Sequence, residues 1–124
     1  MKISQWKRDF VKSMKKNKII TYENVLNINN LVREFHTKIL QLIEFENFII
    51  IRIEYNSQIS DNIFCISYEN EIIWNISEII KREQEAYTGV DKISENIIEV
   101  SLFTGINYKI DVMERKILEK RIVK

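Results

Sequence analysis

The sequence predicts an α+β fold that is mainly β: an amphipathic N-terminal helix, then a twisted antiparallel meander sheet of about six or seven strands. Three observations predict it. Apolar residues recur at helical spacing in residues 1–18, and β-branched and aromatic residues alternate with polar ones from residue 33 onward. The stretches between alternating runs are also too short for parallel crossovers, except at Ser77 to Ala86. At 124 residues the chain makes one domain, with a basic helix over 1–18 and a β-rich body over 33–124.

The helix is read from Ile3, Trp6, Phe10, Val11 and Met14, with Lys7, Arg8, Lys12, Lys15 and Lys16 mostly elsewhere around the wheel and Ser4 placed to cap it. Its apolar stripe is expected to pack on the rest of the domain, with Trp6 docking it. Residues 22–45 fit two patterns. Val25, Ile28, Val32, Phe35, Ile39 and Leu42 suit a helix, whereas Phe35, Thr37, Ile39, Gln41, Ile43 and Phe45 alternate as a strand. A loop or short helix to about Val32, with a strand after it, is the expectation.

Ile49, Ile51, Ile53 and Tyr55 alternate with Arg52 and Glu54 in a β-branched stretch, which reads as a half-buried strand. Phe64 and Ile66, then Ile72, Trp74 and Ile76, form a hairpin across the polar Glu69-Asn70 turn. Ser77 to Ala86 is a short helix or polar excursion. Strand structure restarts at Tyr87-Thr88-Gly89-Val90, continues through Ile98, Val100 and Leu102, breaks at Gly105, resumes at Tyr108 and Ile110, and ends with a strand over Lys116 to Val123. Gly105 is expected at a bulge or tight turn. Phe64-Cys65-Ile66-Ser67 with Ile72-Ile73 repeats as Tyr108-Lys109-Ile110-Asp111 with Ile117-Leu118, at an offset of 44 or 45 residues. Such a period suits propeller blades. One chain supplies about two blades where a ring needs ~4 to 8, so it closes no propeller by itself.

Composition removes several classes. No Pro, two Gly and one Cys exclude a collagen-like chain, a disulfide scaffold and a Gly-rich phosphate loop. The longest apolar run, Phe48-Ile49-Ile50-Ile51, is far short of the ~20 residues of a membrane helix. Residues 3–18 hold no secretory apolar region. A soluble, cytoplasmic protein with no membrane contact is the expectation. The net charge of +1 hides an uneven distribution. Residues 1–18 have seven basic groups against Asp9, for +6; residues 19–111 have seven basic and fifteen acidic groups, for −8; residues 112–124 carry +3.

Asn62-Ile63-Phe64-Cys65-Ile66, Glu71-Ile72-Ile73-Trp74-Asn75-Ile76, Tyr87, and Gly105 to Asp111 with Lys116-Ile117 together resemble a group of small uncharacterised Firmicutes proteins. These share an Asn-Val-Phe strand, an Ile-Ile-Trp-x-Ile strand and a late Gly-x-x-Tyr-x-Ile-Asp hairpin. Single hairpins also look like quinoprotein-type propeller blades, although neither Glu69-Asn70-Glu71 nor Met113-Glu114-Arg115 has the turn glycine. The resemblance covers residues 47–124. Some proteins of this type look like immunity partners of bacterial polymorphic toxins, which implies a protein partner; the resemblance carries over no active-site residues.

The candidate chemistry is sparse. His36 is the only histidine and lies 29 residues from Cys65, which leaves little for a nucleophilic arrangement. His36 is expected as an exposed or hydrogen-bonded strand residue and Cys65 as an inert buried thiol. Zinc would need ligands beyond these two, so no metal or other cofactor is expected. Asp91 with Glu114-Arg115-Lys116 has the residue types of a metal-dependent nuclease, which sets an Asp and a Glu-x-Lys on adjacent strands. A solvated charge cluster in the last turn is the plainer account. Trp74 and Tyr108 sit at alternating apolar positions and are expected in the core rather than on a ligand surface. Asn62 and Asp111 are expected to fix strand ends and turns by bonding backbone amides.

The expected function is therefore a non-enzymatic protein-binding module, plausible as an immunity protein neutralising a toxin. The expected partner-binding residues are Glu44, Glu46, Glu54, Asp61, Glu69, Glu71 and Glu78, which with Arg52 give residues 44–78 a local charge of −6. An acidic face would attract the basic site of a toxin that acts on nucleic acid. The alternatives are nucleic-acid binding through the basic helix, disfavoured by the −8 body, and, more remotely, the nuclease.

Overall fold

The computed structural model describes residues 17–82 and 84–123. The expected N-terminal helix, Trp6 and its basic neighbours lie outside them. Within them the fold is all β rather than α+β: eleven antiparallel strands in three sheets and no α-helix. Sheet A holds β1 (Ile19–Tyr22), β2 (Val25–Ile28) and β3 (Leu31–Glu34). Sheet B holds β4 (Ile39–Glu44), β5 (Phe48–Ile53), β6 (Ile63–Ser67) and β7 (Ile72–Asn75). Sheet C holds β8 (Tyr87–Ser94), β9 (Ile97–Leu102), β10 (Ile106–Asp111) and β11 (Lys116–Ile122). Every neighbour in a sheet is the next strand in sequence, as the meander reading requires, but three sheets replace the single one expected.

Sheet A overturns the expected loop or helix before Val32, and with it a β-rich body that starts only at residue 33. Its hairpins turn at residues in the left-handed region: Glu23 (φ 56°) after β1, then Asn29 (φ 51°) and Asn30 (φ 72°) after β2. Two consecutive positive φ angles suit a tight hairpin, and asparagine tolerates them because its short side chain bonds locally. Here the Asn27 side chain accepts from the Asn30 N–H at 2.9 Å.

Sheet B is the middle layer, buried on both faces. Ile49, Ile51 and Ile53 face sheet A with Leu26, Ile28, Phe35 and Ile66. Phe48 and Ile50 face sheet C with Ile63, Cys65, Trp74, Tyr87, Val100 and Tyr108. The half-buried reading of β5 is corrected accordingly, since only Arg52 breaks a strand apolar on both sides. Trp74 and Tyr108 are core residues, as their alternation predicts.

The link from sheet B to sheet C is the polar excursion. It opens with a single 3-10 turn, Ile76–Glu78, where the Asn75 side chain accepts from the Ser77 N–H at 3.0 Å and Glu78 accepts from the Asn75 N–H at 2.9 Å. The internal repeat has a structural meaning: its two copies are the third and fourth strands of sheets B and C.

Gly105 sits in the β9–β10 turn at φ +89°, and a Cβ there would lie 2.9 Å from the Val123 carbonyl oxygen. The strain of a side chain in this region is ~1 to 2 kcal/mol, and the contact adds to it. Gly105→Ala should therefore lower the urea midpoint by at least that equivalent with an unchanged slope; an unaffected midpoint would show the turn to be free to relax.

Candidate functional site

A meander alternates its turns between two ends, which decides where the acidic candidates fall. Glu44 and Glu46 flank the β4–β5 turn, and Glu69 and Glu71 flank Asn70 in the β6–β7 turn, so these four exposed carboxylates share one end of sheet B. Glu54 and Asp61 lie at the opposite end, at either side of the β5–β6 loop, and Glu78 follows β7. The sequence cluster is thus divided: four groups are brought together and three are not.

The four stand on turns held from several directions. The Tyr68 hydroxyl donates to the Phe45 carbonyl, joining one turn to the other. Burial, and then the Glu44 charge, raise the Tyr68 pKa, so the phenol stays a donor. The Asn70 amide donates to the Leu26 and Leu31 carbonyls of sheet A at 3.0 and 2.7 Å, and Arg33 donates to the Asn70 carbonyl at 3.1 Å. The Ser67 hydroxyl accepts from the Glu69 and Glu71 N–H groups at 3.3 and 3.2 Å. Asn70 itself has a φ of 62°, a left-handed turn geometry at the Glu69-Asn70 turn that the sequence predicts. Lys92 lies 4.5 Å from the centre of the Phe45 ring and is a cation beside this end.

Asp61 and Glu78 have other partners. Burial pushes the Asp61 carboxyl above its usual range, and its Oδ1 has no hydrogen-bond partner. Glu78 closes the 3-10 turn and lies 3.9 Å from Arg115. Glu54 is exposed beside Thr37, whose hydroxyl donates to the Glu54 carbonyl.

Two adjoining hollows open between sheets B and C at the acidic end. The larger, about 330 Å³, is lined by Glu46, Asn47, Phe48, Glu95, Asn96 and Met113. The smaller, about 180 Å³, shares Asn47, Phe48 and Met113 and reaches Cys65, Ile73, Trp74 and Arg115. Sequence reasoning missed this cleft because its walls come from turns of two separate sheets.

The remaining candidates separate. His36 is exposed in the β3–β4 connection, and Cys65 is buried in β6. Burial pushes the Cys65 thiol up to about 12, with Arg115 opposing weakly, which disfavours the thiolate. Asp91 is on β8 and Glu114 follows β10; β8 and β11 are opposite edges of sheet C, so the adjacent-strand arrangement of the nuclease pattern does not form. No group of three His, Cys, Asp or Glu side chains among the described residues could hold a metal ion. Asn62 and Asp111 do what their residue types predict: Asn62 accepts from the Tyr87 N–H at 2.9 Å, and Asp111 from the Glu114 N–H at 2.9 Å. No helix among the described residues is long and apolar enough to cross a membrane.

No curated protein and no solved structure matches the chain. A family profile described as a domain of unknown function, DUF7957, matches residues 16–122. The match runs from just before β1 to the end of β11 and so takes in sheet A, which lies upstream of the resemblance noted in the sequence. With all three sheets inside that match, the chain belongs to the DUF7957 family.

Proposed function

We propose that this chain is a non-enzymatic protein-binding module that masks a basic surface, in the manner of a cytoplasmic immunity protein bound to a toxin. One observation carries the proposal: Glu44, Glu46, Glu69 and Glu71 stand exposed on two turns joined by the Tyr68–Phe45 bond. Turns already ordered in the free protein lose little further entropy on binding. Arg33 and Lys92 offset part of the charge, leaving that end net negative. Such a patch speeds encounter with a basic partner, an effect screened beyond ~10 Å at 0.1 M salt.

The test is association kinetics with the partner protein recovered by pull-down. Glu69→Lys with Glu71→Lys should slow association severalfold at low salt and leave the melting curve nearly unchanged, because both carboxylates are exposed. The difference should shrink as salt rises. An association rate indifferent to the double reversal but abolished by deleting residues 1–18 would favour the basic N-terminal segment as the binding element.

A further inference from the structure

The smaller hollow between sheets B and C combines an apolar interior with one charged group at its rim. Its inner wall is Phe48, Cys65, Trp74 and Val112, all buried. Ile73 and Met113 are exposed beside it, and Arg115 joins them from the β10–β11 turn. The walls are held by bonds that need no occupant. The β4–β5 turn is tied through the Tyr68–Phe45 bond, with Phe45 stacked on Phe48 at 4.7 Å between ring centres, and Asp111 pins the β10–β11 turn by accepting from the Glu114 N–H at 2.9 Å. A preformed apolar hollow with few polar groups is the usual form of a small-molecule site.

We propose that this hollow binds a small apolar carboxylate, an aromatic or short-chain acid whose hydrocarbon part packs against Phe48, Trp74 and Val112 and whose carboxylate meets Arg115. Size sets the first limit. The volume is about 180 Å³, and an apolar cavity of about 150 Å³ holds benzene, so the hollow takes one six-membered ring or a chain of similar bulk. Charge sets the second. Arg115 is the one charged group among the described residues that line this hollow, whereas Glu46 and Glu95 line only the larger one. An anion is therefore drawn to the Arg115 side and repelled from the other. The guanidinium has donors to spare. It carries five N–H groups, and its contact with Glu78 is 3.9 Å, too long for a hydrogen bond and half-exposed on both sides. Its charge also reaches the inner wall, where it opposes the upward push of burial on the Cys65 thiol.

Trp74 is the reporter, because it lines the hollow and its indole N–H has no partner in the protein. Its signal in a proton–nitrogen correlation spectrum of the full chain is identified by its loss in Trp74→Phe. The probes are sodium benzoate and sodium hexanoate, set against benzamide and benzylamine at the same ionic strength. At least one carboxylate should shift the signal saturably with a dissociation constant of about 1 mM or tighter, and the neutral and cationic probes should bind much more weakly. Arg115→Gln should weaken the carboxylate about tenfold or more, the scale of a lost charge-assisted bond, and Arg115→Lys, which keeps the charge but not the planar fork, should fall between. Because Arg115 is exposed in a turn, both variants should melt nearly as the parent does. Shifts that stay linear and unsaturated with both carboxylates, benzamide or benzylamine binding as tightly as benzoate, or carboxylate binding that survives Arg115→Gln would overturn the proposal.

Discussion

Replacing Trp74 by alanine is expected to lower the unfolding free energy by ~3 to 5 kcal/mol, the range for deleting a large aromatic side chain from a core that only partly collapses. The indole sits in β7 opposite Cys65 of β6 and joins the cluster between sheets B and C, where it is 1% exposed. β7 is an edge strand, so no further strand closes over the cavity from that side. Trp74→Phe should cost much less, and for a specific reason. Both variants remove the indole N–H, which is buried without a hydrogen-bond partner, so the difference between them is the buried ring area that phenylalanine keeps. Urea unfolding followed by circular dichroism, which does not depend on tryptophan emission, measures both. Equal losses for the two variants would mean that phenylalanine recovers none of the indole's packing.

Much of this architecture was legible in the chain because period-two alternation survives wherever one face of a strand is buried. Val100 and Leu102 in β9 or Tyr108 and Ile110 in β10 alternate with polar residues on the solvent side of sheet C, and both strands were read in place. Position in the stack was not legible. Phe48 to Ile51 shows four consecutive apolar residues, the mark of a strand with no solvent face, but a continuous run does not say which layer lies on which side. Sheet A went unread because its second turn is Asn29-Asn30 rather than a glycine-bearing pair, while Val25, Ile28 and Val32 happen to fall at helical spacing. The acidic residues were read as one face. Alternate turns of a meander go to opposite ends, and that rule, applied to correct strand boundaries, separates Glu54 and Asp61 from Glu44, Glu46, Glu69 and Glu71.

Asn62 should be the least tolerant polar position in the fold. It is fully buried and joins sheets B and C: its amide donates to the Ile53 carbonyl at 2.7 Å and the Tyr87 carbonyl at 3.0 Å, and its Oδ1 accepts from the Tyr87 N–H at 2.9 Å. Asn62→Ala strands two carbonyls and one N–H in the interior. At ~1 to 3 kcal/mol for each unsatisfied group, partly relieved by relaxation, the loss should be on the order of 3 to 5 kcal/mol. Asn62→Asp separates the hydrogen bonds from the packing, because it keeps the shape and the acceptor but sets a carboxyl against two carbonyl oxygens. Burial and those carbonyls, with Asp61 beside it, would hold its folded-state pKa above the unfolded value of ~3.9. A raised folded-state pKa means that the native state binds the proton more tightly, so stability is greatest below the unfolded pKa and falls as pH rises through the folded one. Protonated, the side chain can donate to one carbonyl; ionised, it can donate to neither. Asn62→Asp should therefore lie much closer to the parent at pH 4 than at pH 7, and the gap between Asn62→Ala and the parent should change little over the same interval. A pH-independent penalty for Asn62→Asp would show that this position reaches solvent and that the tie between sheets B and C is looser than its hydrogen bonds indicate.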